Sequence, residues 1–247
     1  MKIGTIILCR YSSSRLPGKI LIDIQGNTTL AYLHEKFARQ IDRETLLVAT
    51  STDPSDDIIE DYCQRHGFNC FRGSLDNVSE RFLAAAQSLN CDYAIRINGD
   101  ALFLDLPTYL DMIEICKAGD YDFISNVKGR SFPFGMSVEI VNMKFYEALQ
   151  AKIQANPRYV EHVTLYLYDH PEEGRQYHHT NTLYPMLSGL QIALDTTDDL
   201  VLARQVMEKL GENYYSCDLK RFQEVIETIR KEYELEGKTW KYHKNIH

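Results

Sequence analysis

The sequence predicts an α/β fold: a mostly parallel sheet covered by helices on both faces, giving three layers. Two observations carry the prediction. Short apolar runs alternate with amphipathic helical segments through the first two-thirds of the chain, a spacing that implies right-handed crossovers between parallel strands. The first apolar run passes directly into a polar loop, residues 10–19, with three cations and three serines. That is where an open parallel sheet binds ligands, beyond the carboxyl end of a strand.

The elements follow in order. Residues 3–8 read as a buried strand, and 28–40 as a helix with Leu30, Leu33 and Phe37 on one face. A strand is expected at 45–50. A helix over 55–66 follows, with Ser55 as N-cap, Asp56 and Asp57 in its first turn and Gly67 just past its end. Further strands are expected at 68–71, 93–97 and 121–126, and helices at 77–89 and 106–117. The pattern then loosens. Residues 131–135 form a turn-rich loop, 136–142 are strand-like, 159–168 helical and 176–184 extended. A strand at 190–194 breaks into Asp195-Thr196-Thr197-Asp198-Asp199 and a helix reaching about residue 210. The last helix, 219–236, ends in a Lys- and His-containing tail that reads as a solvated terminus, with an anionic surface as the alternative partner.

Composition limits the function. The 247 residues suit one large domain with an appendage: a main domain over 1–210 and a C-terminal helical extension over 211–247. A formal net charge of -8 argues against nucleic acid as partner. The six cysteines have neither CxxC pairs nor zinc spacing and read as reduced core residues. Lys2-Ile3-Gly4 opens a strand rather than a cleavable leader, and no apolar run is long enough to cross a membrane, so a cytoplasmic location is expected.

Core packing does not ask for Arg10, Arg15 and Lys19 within ten residues on so acidic a chain. A nucleoside triphosphate does, because backbone N–H groups, hydroxyls and cations together neutralise phosphates. Pro17-Gly18 excludes helix and re-aims Lys19 by a tight turn. The chain has neither a Walker A motif nor GxGxxG. Asp100, in Arg96-Ile97-Asn98-Gly99-Asp100, is delivered to the same sheet edge, with Gly99 permitting close backbone approach. A carboxylate there, facing a polyphosphate, is the expected ligand for Mg²⁺. Asp195 would point at the same metal, while Thr197 or Asp198 caps the following helix. Arg72, ending a strand, would face the base or ribose. Arg81 pairs with Asp76 or Glu80 along its helix, or stays free of both. His162 is by default a core residue.

In these residues the chain resembles the acylneuraminate and CMP-Kdo type cytidylyltransferases, in the branch of the spore-coat polysaccharide biosynthesis proteins. The likeness rests on Ser13-Ser14-Arg15-Leu16-Pro17-Gly18-Lys19, Phe71-Arg72-Gly73-Ser74, Arg96 to Asp100, Glu161-His162-Val163-Thr164 and Leu194-Asp195-Thr196, in that order over roughly residues 1–210. It implies a Rossmann-like fold of the nucleotide-diphospho-sugar transferase type and a homodimer formed through 127–190. It also implies transfer of CMP from CTP to a sugar or sugar-acid acceptor. Arg10, Ser14, Arg15 and Lys19 would hold the phosphates, Arg72 and Asn98 would lie near base and ribose, and Asp100 and Asp195 would bind Mg²⁺. Arg10, Lys19 and Asp100 would act in the transfer itself, and Glu139, Glu161 and His162 would border the acceptor pocket. Where the family has Cys-Pro-Leu after its Gly-Asp, this chain has Ala101-Leu102-Phe103; where it has Pro-Asp-Gly-Leu-Asp-Val-Glu, this chain has Pro133 to Glu139 with Phe134 and Ser137 replacing two carboxylates. The altered segment belongs to the acceptor half. Two other classes remain at this point: a glycosyltransferase of related fold, for which Asp120-Tyr121-Asp122 has the Asp-x-Asp spacing, and a non-catalytic nucleotide-binding relative.

Overall fold

The computed structural model describes residues 1–244. Its centre is β1 (Ile3–Leu8), whose last five residues are buried and which pairs in parallel with two strands. One is β4 (Leu46–Ser51), reached through a small hairpin, β2 (Asp23–Ile24) and β3 (Asn27–Thr28), and then α1 (Thr29–Ala38). The other is β6 (Tyr93–Asn98). Between them in sequence lie α2 (Asp57–His66), β5 (Cys70–Gly73) and α3 (Val78–Ser88). The far half holds α4 (Leu106–Ala118), β7 (Phe123–Ser125) and β8 (Glu139–Asn142). Short helices α5 (Met143–Ala148), α6 (Gln150–Gln154), α7 (Pro157–Glu161) and α8 (Leu165–Asp169) lead to β9 (Gln176–His178). The seven-stranded order is β5-β4-β1-β6-β8-β7-β9, and β8 alone runs antiparallel to its neighbours. The mostly parallel α/β architecture expected from the alternation is therefore what the chain adopts.

Two apolar layers explain why. Leu30, Leu33 and Phe37 of α1 are fully buried with Ile7, Val48 and Ile97 on one face of the sheet. Ile6, Leu8, Ala49 and Ala94 meet Phe82 and Ala85 of α3, together with Tyr146 of α5, on the other. Successive strand residues alternate between these layers, as the pleat requires. A third cluster joins α9 (Thr197–Leu210) and α10 (Leu219–Leu235) to Leu102, Phe103 and Phe132. All six cysteines are unpaired. Among the described residues no helix is long and apolar enough to cross a membrane.

Several local expectations are corrected. The N-cap before α2 is not Ser55: Asp53 accepts from the Ser55 amide and starts a 3-10 turn at Pro54, because a carboxylate followed by proline is the better start. The helix expected over 159–168 is two short ones, broken at His162, whose φ of -100° and ψ of 46° end α7. Residues 190–194 join no sheet. They make single bridges, Gln191 to Phe134 and Leu190 to His243, because their apolar side chains fill the third cluster instead. Thr196, not Thr197 or Asp198, caps α9, and Asp199 reciprocates in a capping box. The tail is mostly solvated over its described part, as expected, but it is pinned at one point. Tyr242 is buried against Tyr233 and Trp240, and Lys244 donates its amide to Gly189. The end of the tail, residues 245–247, lies outside the described residues.

Candidate active site

After β1 the chain turns toward β4, and after β6 it moves away toward β7, so a crevice opens between the carboxyl ends of β1 and β6. Loop 10–19 is held over that crevice by a buried carboxylate. Asp56 accepts from the Tyr11 amide at 2.7 Å and from the Ser51 amide at 3.0 Å, and it also bonds the Ser51 hydroxyl. Gly18 adopts φ 68° against the Tyr11 ring, where a Cβ would meet ring atoms at 3.1 Å, and its amide bonds the Tyr11 carbonyl. The turn aims Lys19 inward as expected. At Gly99 the close approach is to protein: a Cβ would lie 2.7 Å from the Cys9 Cβ and 2.8 Å from the Ile20 Cδ1.

Asp195 reaches the crevice because the Leu194 amide donates to the Asp100 carbonyl at 3.3 Å. Gly135 at φ 97° packs on the Ala193 backbone and supports that segment. Lys19 Nζ then donates to Asp100 Oδ2 at 2.8 Å and to Asp195 Oδ1 at 3.1 Å, and Arg15 pairs with Asp195 at 3.0 Å. One ammonium touching both carboxylates shows that they converge on a single point. Among the described residues no group of three or more His, Cys, Asp or Glu is placed to hold a metal ion. In general, Mg²⁺ bound beside a polyphosphate takes only one or two carboxylates from protein, with phosphate oxygens and water completing its shell.

The resulting cleft, about 310 Å³, is lined by Arg10, Ser14, Arg15, Lys19, Asn98, Asp100, Glu161, His162 and Asp195, so nine of the eleven site residues expected from sequence meet there. Arg10 faces Glu161 at 3.8 Å across its mouth. A second cavity, about 560 Å³, adjoins it and is lined by Arg130, Ser137, Glu139, Arg158 and Tyr168. Arg96, Asn98 and His162 line both.

The remaining two residues differ from expectation. Arg72 does not face the cleft. Its guanidinium binds Asp57, Glu60 and the Ser51 and Asp53 carbonyls, because the end of β5 lies beside α2 rather than beside the crevice. Glu139 borders the second cavity but is nearly fully buried, and it accepts from Arg96, from Thr164 at 2.7 Å and from Tyr168 at 2.6 Å. Asp120-Tyr121-Asp122 lies at the opposite end of the sheet, where Asp122 accepts from the Arg175 amide.

Sequence reasoning missed three residues. Arg81 pairs with neither Asp76 nor Glu80; it lines the cleft and donates to the Ser74 carbonyl at 2.6 Å, and burial lowers its pKa. Asp56 looked like a first-turn helix residue. Arg96 looked like part of the Asn-Gly-Asp run, and its spacing of two from Asn98 was the available signal, since both must share a sheet face.

The family model described as cytidylyltransferase matches residues 5–235. A spore coat polysaccharide biosynthesis protein of Bacillus subtilis is 33% identical over 84% of this chain and 87% of its own length. A 3-deoxy-manno-octulosonate cytidylyltransferase of Hydrogenovibrio crunogenus is 30% identical over 58% of each chain. A solved cytidylyltransferase structure from Leptospira borgpetersenii superposes with a TM-score of 0.82 at 26% identity, covering 98% of this chain and all of that one.

Proposed function

The chain belongs to the cytidylyltransferase family and is a CTP-dependent nucleotidyltransferase, and from that premise we propose that it moves CMP onto a hydroxyl of a sugar or sugar-acid acceptor, releasing pyrophosphate, as a cytoplasmic step of surface-polysaccharide synthesis. The observation that carries the reading is the convergence of Asp100 and Asp195 on Lys19 beneath a loop of further cations, in the crevice where a parallel sheet binds nucleotides.

The roles follow from charge and position. Arg10, Ser14, Arg15 and Lys19 bind the triphosphate, and the cations offset the charge that gathers on the departing pyrophosphate. Asn98 lies toward base and ribose. Asp100 and Asp195 hold Mg²⁺, hard oxygen donors for a hard cation. When bound, that ion withdraws electron density from the phosphate it touches. His162 and Glu161 border the acceptor, and Arg158 and Arg130 give the second cavity a positive wall suited to an acidic sugar. Little covalent help is needed from protein in such a transfer; positioning and charge stabilisation account for the catalysis.

Incubation with CTP, Mg²⁺ and a panel of neutral and acidic sugars should release pyrophosphate. Asp100→Ala should abolish that release without unfolding the chain, and full activity in the variant removes Asp100 from the reaction. A thermal-shift screen of the four nucleoside triphosphates with Mg²⁺ should rank CTP first, since a ligand of the native state raises its stability by mass action. The same reading includes a homodimer formed through 127–190, where Leu183 and Met186 expose large apolar side chains. A monomer in sedimentation at working concentration rejects that part.

A further inference from the structure

Arg96 is the one charged residue of β6, and it lies on the same sheet face as Ala94 and Asn98, beside the apolar layer around Phe82 and Tyr146. Its cross-strand partner is Glu139, directly opposite in the β6–β8 register, just as Ala94 opposes Val141. A buried ion pair of this kind is seldom more stabilising than a well-packed apolar pair, so stability alone gives no reason for it. Glu139 already accepts three protein hydrogen bonds: Oε2 takes Arg96, and Oε1 takes Thr164 and Tyr168. Burial and the neighbouring carboxylate hold the Tyr168 phenol protonated, so it remains a donor. Nearly fully buried, Glu139 is thus turned to these protein donors rather than to a substrate.

Arg96 is not saturated. Only Nη1 has a protein partner, Nε is buried without one, and the residue lines the cleft. Arg15 and Lys19, by contrast, already have the Asp100 and Asp195 carboxylates as partners. Position supplies the ligand. In a nucleotidyl transfer the phosphorus under attack must lie between the nucleotide site and the acceptor site. Among the described residues Arg96, Asn98 and His162 line both cavities, and of these Arg96 carries a permanent charge.

We propose that Arg96 binds the α-phosphate oxygens of the nucleotide, and that Glu139 is the positioning residue that aims its guanidinium at the seam between the two cavities. The proposal rests on the transfer reading above. It replaces the expected contact of Glu139 with the acceptor by an indirect role.

CMP carries the α-phosphate alone and cytidine carries none, so their relative affinity isolates this contact. Calorimetry on the full chain, with CMP and cytidine each displacing CTP, should show Arg96→Gln weakening CMP by about tenfold or more, as for loss of a charge-assisted hydrogen bond, with cytidine unchanged. Glu139→Gln keeps an acceptor for Thr164 and Tyr168 but loosens Arg96, and should give a smaller loss confined to CMP. A purely structural role would weaken both ligands alike. Because Arg96→Gln leaves a buried carboxylate unpaired, the double variant Arg96→Gln, Glu139→Gln, which removes both charges, is measured beside it. An unchanged CMP-to-cytidine ratio in either variant overturns the proposal, and so does a double variant that fails to fold, which would assign the pair to the core. If the unaltered protein binds no CTP, the transfer reading falls and takes this one with it. If it binds CTP and the ratio survives the substitutions, Arg96 alone is misassigned.

Discussion

Lys19 donates to Asp195 at 3.1 Å across a sequence separation of 176 residues. The same ammonium takes Asp100 at 2.8 Å, and Arg15 adds a second cation to Asp195. In the cleft, Lys19 and Arg15 thus pair with the two converging carboxylates. A magnesium nucleotide offers each side a new partner, phosphate for the cations and metal for the carboxylates. Lys19→Met should accordingly slow pyrophosphate release about a hundredfold, the usual cost of removing one preorganised charge contact. Steady-state kinetics on CTP check this, and a loss under threefold contradicts it.

Arg15 and Arg72 should separate binding from stability. Arg15 is largely exposed in the phosphate loop, so Arg15→Ala should weaken CTP binding and leave the denaturation midpoint in place. Arg72 ties β5 to α2 and to the β4 carbonyl at Ser51. Arg72→Ala should cost about 1–3 kcal/mol of stability and change CTP affinity less than twofold. Urea unfolding and calorimetry on both variants test the contrast.

Asp56 is a fully buried carboxylate that holds Tyr11 of the phosphate loop to Ser51 at the end of β4. Asp56→Ala strands these donors in the interior. It should destabilise the fold by about 2–4 kcal/mol and also raise the CTP dissociation constant, because the loop loses its anchor. Unfolding midpoints and CTP titration of the variant measure the two effects, and unchanged CTP affinity in a folded variant separates loop from anchor.

His34 gives stability a pH dependence. It is buried against Phe68, at 3.5 Å between ring centroids, and desolvation together with Arg43 lowers its pKa from 6.5 to about 4; Glu35, at 4.0 Å, is the nearest carboxylate. Below pH 6.5 the unfolded chain takes up a proton that the folded chain refuses. The stabilisation is therefore complete above pH 6.5, declines as pH falls toward 4 and is lost below that, amounting to about 3 kcal/mol at most. His34→Phe keeps the stacking and should flatten this part of the profile, so the midpoint difference between the two proteins should shift between pH 7.5 and 4.5.

Apart from the two-residue strands β2 and β3, the order of elements from β1 to β7 was legible in the sequence because each longer strand and helix there buries a face whose period is local. The phosphate loop was legible for a different reason: three cations crowded together on an acidic chain have no packing explanation. Legibility failed where partners lie far apart in sequence. Residues 190–194 alternate like a strand, yet they pack as a connector under α9. Arg72 follows a strand as a binding residue would, yet α2 supplies Asp57 and Glu60 and takes it out of the cleft.

By itself the sequence determined the α/β class, the site at the end of the first strand, and the identity of the charges that gather there, since periodicity and local charge density act over a few residues. Tertiary structure alone decided which carboxylates meet Lys19, that Glu139 serves Arg96, and that Arg96 stands where two cavities join. Those relationships arise from strand order and cross-strand register, which bring residues dozens of positions apart within hydrogen-bonding distance and leave no trace in any local window.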